Sequence, residues 1–165
     1  MKVEYINPFL SSMMSVFGTM TSCVLTRGVP ALKCGTQPTH EVSAIIGLSG
    51  RAKGTVVLSA EREVALRMTE ALLGERMDQI NADVTDALGE MANMVAGQSK
   101  AQLEHLALSV TLPTVITSKG HSVEFPKNAA PICIPFTCEW GSLALEVALV
   151  EQPDGEANGY RHVQP

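Results

Sequence analysis

The chain has 165 residues, 45% of them apolar and 18% charged, with a formal net charge of -5. That length suits one domain with a real core, and the composition is that of a globular rather than a disordered chain. An acidic balance without clustered Lys and Arg excludes nucleic acid as the main partner.

The four cysteines, Cys23, Cys34, Cys133 and Cys138, form no C-x-x-C pair, so neither a zinc ribbon nor a thioredoxin-like motif is present. They read as small buried hydrophobes of a reducing compartment. The histidines at 40, 105, 121 and 162 have no metal-ligand spacing. From Tyr5 to Thr26 no residue is charged, but Glu4 and the interrupting Asn7, Pro8, Ser11, Ser12 and Gly18 rule out a continuous apolar span. No membrane association is expected, and the chain reads as cytoplasmic.

In chain order, Asn7-Pro8 predicts a helix start, with Asn as N-cap and Pro at N1. Phe9, Leu10, Met13, Met14, Phe17 and Met20 continue it at helical spacing, and Arg27-Gly28-Val29-Pro30 is its expected stop. Residues 31–41 read as a connection. Val42–Ser49 and Thr55–Ser59 form a predicted hairpin around Gly50–Gly54. Ser59 is the expected cap of a second helix, with Glu61 and Glu63 near its positive end and Gly74 as terminator.

The third predicted helix runs from about Asp78 to His105. Its apolar stripe is Ile80, Val84, Leu88, Met91 and Val95, edged by Ala87 and Met94. At 100° per residue, Asp86, Glu90, Asn93, Gly97 and Lys100 fall within roughly 80° of one another, opposite that stripe. The row is therefore exposed, as a site must be and as any solvated face also is.

Strands follow. Leu106–Ser118 contains Pro113, which suits a start, an edge or a bend, and His121–Phe125 is a candidate partner across Lys119-Gly120. Ile132, Ile134 and Phe136 alternate, as do Leu143, Leu145, Val147 and Leu149, with a turn at Trp140-Gly141-Ser142. Residues 152–165 read as a polar, mostly disordered tail behind a domain of residues 1–151. The expected fold is α+β, with long helices on one face of a largely antiparallel sheet built from hairpins. A faint echo between PFLSSMMSV and ALGEMANMV, each with a proline further on, hints at pseudo-twofold halves. In that alignment Ser11 and Met14 stand where Glu90 and Asn93 stand.

Asp86-x-x-x-Glu90-x-x-Asn93, with Pro113 in LPTVI, resembles the signature of the CheC/CheX/FliY chemotaxis phosphatases. EYINPFLSSMMSVFGTM and GEMANMVAGQSKAQL look most like the CheX branch, and the similarity covers nearly all of residues 1–151. The interval from Asn93 to Pro113 is about a residue or two shorter than is usual in that family.

The resemblance implies a protein phosphatase acting on the aspartyl phosphate of a CheY-like response regulator. Asn93 would orient the attacking water and Glu90 would pair with the regulator's active-site lysine. The regulator would bring its own Mg²⁺, so no cofactor or metal site is expected in this chain. Relatives of the CheX type imply a homodimer. Asp86 is either a rim contact to the partner or a plain solvated charge. For Gly97 the choices are a close partner backbone or packing against its own sheet, the second being favoured. Two alternatives stand beside catalysis. One is a non-catalytic interaction domain of the same fold, binding a regulator or a flagellar switch component. The other is a thiol enzyme using Cys133 or Cys138, which the lack of a nearby His in the sequence disfavours.

Overall fold

The strand that organises the molecule is the last, whose text LALEVALV is apolar on both alternations. Period 2 sends Leu143, Leu145, Val147 and Leu149 to one face of the sheet and Ala144, Glu146 and Ala148 to the other, and all seven are buried. Such a strand needs cover on both sides. The computed structural model, which describes residues 3–153, supplies it.

Among the described residues there are three helices, α1 (Ile6–Thr21), α2 (Arg62–Leu73) and α3 (Ala82–Ala101). The eight strands are β1 (Thr26–Arg27), β2 (Ala31–Leu32), β3 (Val42–Ser49), β4 (Ala52–Ala60), β5 (Ser109–Val110), β6 (Thr114–Ile116), β7 (Ile132–Cys138) and β8 (Gly141–Glu151). All pair antiparallel in one sheet of order β1-β7-β8-β4-β3-β5, with β2 also on β7 and β6 also on β3. The expected α+β architecture is the observed one.

The halves hinted at by the sequence are visible in the topology. Each begins with a helix (α1 or α3), passes through an edge strand broken before a proline (Pro30 or Pro113), and ends in a long hairpin (β3–β4 or β7–β8). The broken strands cross over: β1 and β2 pair with β7, whereas β5 and β6 pair with β3. The hairpins meet at the centre, with β4 along β8 from Ala52↔Glu151 to Ala60↔Leu143. α2 has no counterpart.

One face of the sheet shares a core with the helices, including Phe9, Met13 and Phe17 of α1, Val64 and Met68 of α2, and Leu88, Met91 and Val95 of α3. The other face is closed by two irregular connections, 33–41 and 117–131. They are tied together by Val123 N–H donating to the Thr36 carbonyl and by Lys33 N–H donating to that of Pro131, both at 2.8 Å. The expected strand at His121–Phe125 therefore does not form. Three-residue β6 is taken up by β3, and the buried Val123 belongs to the cover instead.

Beneath this cover lies a carboxylate that sequence reading passed over. Glu146 is fully buried; its Oε1 accepts from Lys33 Nζ at 2.8 Å, from Thr39 N–H at 2.9 Å and from the Thr39 hydroxyl at 2.8 Å. The signal was a single charge inside an otherwise apolar strand, which only a partner under a covered face can stabilise. His40, in the same connection, has its pKa lowered by burial, against the opposing pull of Glu61 and Glu146.

Helix boundaries move for local reasons. α1 starts at Ile6 with Tyr5 as an uncapped N-cap, because a 3-10 turn at Val3–Tyr5 leads into it. Pro8 sits within the first turn, where a missing N–H costs nothing. The helix stops at Thr21, not near Arg27, because Ser22 turns left-handed (φ 57°) and sends Cys23 and Leu25 into the core. Ser59 caps nothing: β4 extends through it to Ala60 to match β8, and Glu61 precedes α2. Gly74 (φ 73°) does end α2. Asn81 caps α3, its side chain accepting Val84 N–H at 3.0 Å, so α3 begins after Asp78 and closes at Ala101.

The β3–β4 turn is tighter than expected, β4 resuming at Ala52. The last turn is Glu139-Trp140, with Gly141 already in β8. Of the cysteines only Cys23 is buried; Cys34 is exposed, Cys133 and Cys138 are partly so, and all four are free thiols. Burial and the adjacent Cys138 thiol push Cys23 up to about 11. The proposed tail lies, from residue 154, outside the described residues. No helix among the described residues is long and apolar enough to cross a membrane.

Candidate functional site

α3 is fixed before any site is built on it. The Asn81 cap sets its start, while Val84, Leu88, Met91, Ala92, Val95 and Ala96 are at most 1% exposed against the sheet and α1. Ser99, also buried, donates to the Val95 and Pro8 carbonyls at 2.7 and 3.4 Å, tying α3 to the start of α1. A helix seated this firmly presents its outer row with little freedom of its own.

That row is the one expected. Asp86, Glu90, Gly97 and Lys100 are exposed and Asn93 is half-buried. Among the described residues, neither the Glu90 carboxylate nor the Asn93 amide has a side-chain hydrogen bond or ion pair. Both are free to meet something outside the chain. They stand three residues apart, about 4.5 Å along the helix axis. The carboxylate can take a cation, and the amide can both donate and accept.

The two glycines beside this row differ in kind. At Gly97 a methyl group would meet no atom within 4 Å, so packing against its own sheet, the favoured expectation, does not account for it. At Gly89 a methyl would sit 3.2 Å from Pro113 Cγ and 3.3 Å from Val115 Cγ2. Gly89 is the glycine that packing requires, because it lets the start of β6 lie against α3. The short interval between Asn93 and Pro113 is thus compatible with a proline seated on the helix beside the row.

Next to it runs a groove of about 520 Å³, lined by Asn93, Gly97 and Lys100 of α3 and by Leu108 and Val110 leading into and along β5. The break between β5 and β6 is pinned. Thr111 N–H donates to the Gly47 carbonyl at 3.0 Å, Gly47 N–H donates to Thr111 Oγ1 at 2.9 Å, and the Thr111 hydroxyl donates to the Leu112 carbonyl at 3.1 Å. Among the described residues no group of three or more His, Cys, Asp or Glu is placed to hold a metal ion. On α1 the aligned Ser11 and Met14 are also exposed, so the first half keeps the surface without the acid–amide pair.

Residues 42–137, more than half of the chain and the whole of α3, match the model of the family described as chemotaxis phosphatase CheX. The chain belongs to this family. A curated relative from Thermotoga maritima, named CheY-P phosphatase CheX, is 26% identical over 127 residues, which are 75% of this chain and 82% of that protein. A crystal structure of a CheC-like superfamily protein from Shewanella sp. PV-4 superposes with a TM-score of 0.83 at 32% identity, covering 91% of this chain and 99% of that one. The chemotaxis protein CheX from Vibrio vulnificus does so with a TM-score of 0.82 at 32% identity, covering 90% and 100%. The eight-stranded antiparallel sheet and its three helices are thus a CheC-like fold, and the exposed acid–amide row lies inside the stretch that defines the CheX family.

Proposed function

We propose that this protein accelerates hydrolysis of the aspartyl phosphate of a CheY-like response regulator, with Asn93 positioning the attacking water and Glu90 anchoring the regulator. One observation carries the reading: an unpartnered carboxylate and an unpartnered amide, one turn apart, on the outward row of a rigid helix in a CheX-family chain. The name of the Thermotoga relative, a CheY-P phosphatase, supports the substrate class.

The chemistry asks little of the protein. An acyl phosphate is already activated, so the barrier falls mainly by holding a water in line with the phosphorus and opposite the leaving carboxylate oxygen. The Asn93 carbonyl oxygen accepts a hydrogen bond from that water and directs its lone pair at phosphorus. Being neutral, it adds no charge beside the phosphoryl oxygens. The P–O bond to the aspartate breaks as the water's P–O bond forms, leaving a free carboxylate and inorganic phosphate. Glu90 would be repelled by the phosphoryl group as a nucleophile; its role is an ion pair with the regulator's active-site lysine, and Mg²⁺ belongs to the regulator. Asp86 and Gly97 extend the contact along the same row. The reading places the reaction in the cytoplasm and the protein in a homodimer. The exposed Val24, Val29 and Leu32 around β1 and β2 are a surface such a dimer would cover.

The test is decay of a phosphorylated CheY-like regulator at catalytic ratios. Asn93→Ala should lose about 100-fold or more in turnover while still binding the regulator, as expected for a group that orients the reacting water. Glu90→Ala should weaken binding and turnover together. Full activity in both variants would refute the site, and binding without any accelerated decay in the wild type would make the chain a non-catalytic adaptor.

A further inference from the structure

Leu112 is 87% exposed on a segment held more firmly than an exposed loop needs to be. Thr111 is bonded twice to Gly47 of β3, and its hydroxyl closes onto the Leu112 carbonyl. On the other side Pro113 has its φ set by its ring, which packs over Gly89 of α3. None of these restraints uses the Leu112 side chain. The fold therefore immobilises the backbone of a large apolar residue and leaves the residue itself in water.

The position of this bend follows from its two ends. Val110, before it, lines the groove shared with Asn93 and Gly97. Pro113, after it, reaches the helix at Gly89, one turn before Asn93. On a helical wheel position 89 lies about 40° round from Asn93, on the side away from Glu90. Leu112 thus lies in the chain between the residue that lines the groove beside Asn93 and the proline that meets α3 on the side of Asn93 away from Glu90. Among the described residues it is the one large exposed hydrophobe of the β5–β6 edge. Val24, Val29 and Leu32 belong to the opposite edge of the sheet, and Leu73 to the end of α2.

We propose that Leu112 is the apolar anchor that seats the phosphorylated regulator on α3, packing against an apolar patch of the receiver surface next to its phosphoaspartate pocket. This rests on the function proposed above and adds the second half of the recognition. Glu90 supplies a charge contact on one side of the water-positioning amide, and Leu112 a desolvated contact on the other. A side chain whose backbone is already ordered loses little entropy on association, which is the condition under which one buried hydrophobe contributes strongly. Regulators with a charged residue at that place are excluded, because Leu112 would bury the charge without a partner.

Leu112→Asp and Leu112→Met in the full chain test this, with Asn93→Ala alongside. The probe for binding is a CheY-like regulator carrying Mg²⁺ and beryllofluoride, a stable mimic of the acyl phosphate. Removing one buried leucine contact corresponds to a roughly 10- to 100-fold weaker complex. Leu112→Asp is expected to show that loss in Kd and the same rise in KM, with kcat and Tm close to wild type, and Leu112→Met to restore binding. Asn93→Ala shows the converse, with kcat lost and Kd kept. Wild-type Kd and KM in Leu112→Asp overturn the anchor, even where Asn93→Ala confirms the phosphatase. Weaker binding in Leu112→Asp supports the anchor, even where Asn93→Ala proves as active as wild type and the catalytic assignment fails. A wild type that binds no regulator at all overturns both.

Discussion

Replacing Gly97 by alanine should make the protein more stable and less active. The position is helical, four residues before the end of α3, and an added methyl meets no atom of the chain within 4 Å. Alanine removes the helix penalty of glycine, about 1 kcal/mol, and nothing in the fold opposes the gain. For a chain of 165 residues that is about 2–4 °C in Tm. If a partner backbone comes down on the row at this point, the same methyl holds it off, and kcat/KM for the phosphorylated regulator should fall. Gly89→Ala is the matched control. There the helix gain is the same, but the methyl lies 3.2 Å from Pro113 and 3.3 Å from Val115, and overpacking of this kind costs about 1–3 kcal/mol. Its Tm should be at or below that of the wild type. Thermal melts followed by circular dichroism, with regulator dephosphorylation on the same samples, decide the matter. A lower Tm for Gly97→Ala would show that the glycine serves the chain's own packing. A higher Tm with unchanged kcat/KM would show that no partner backbone needs the space.

Two further outcomes concern the face of the sheet away from the helices. Glu146→Ala strands the Lys33 ammonium, whose side chain is only 7% exposed, and leaves the Thr39 donors unmatched. It should cost about 3–5 kcal/mol in urea unfolding, and Lys33→Met with Glu146→Leu together should cost clearly less; equal losses would mean that the pair is not an isolated buried charge problem. His40 has a folded-state pKa held below 6.5 by burial, so the unfolded chain binds its proton first as pH falls. Its contribution to stability is whole above pH 6.5 and declines below it. His40→Gln should therefore lose less stability than wild type between pH 7.5 and 5.5, and parallel losses would reject the assignment.

Much of this protein was legible in one dimension because its signals are local. The α3 stripe and the row opposite it depend only on the 3.6-residue period, so the exposure of Asp86, Glu90, Gly97 and Lys100 follows from spacing alone, whereas Asn93, expected to be exposed with them, is half-buried. Val42–Ser49 emerged with its bounds unchanged, and the left-handed Gly74 ended α2, because alternation and a positive φ are properties of short stretches. The weak echo between the first and third helices was likewise readable, though not its consequence.

What could not be read were the contacts between distant segments. The crossing of β1 and β2 to β7 and of β5 and β6 to β3 is a matter of pairing, and no single strand encodes its partner. Burial of Glu146 depends on two connections meeting over it, each of which reads as polar loop by itself. The different fates of Gly89 and Gly97 show the same division at one site. Both are glycines on one helix, eight residues apart. Only the arrival of Pro113 and Val115 over the first, and of nothing over the second, separates a packing requirement from an open surface. Periodicity is carried by neighbours in the chain, whereas space is allotted by whatever folds alongside.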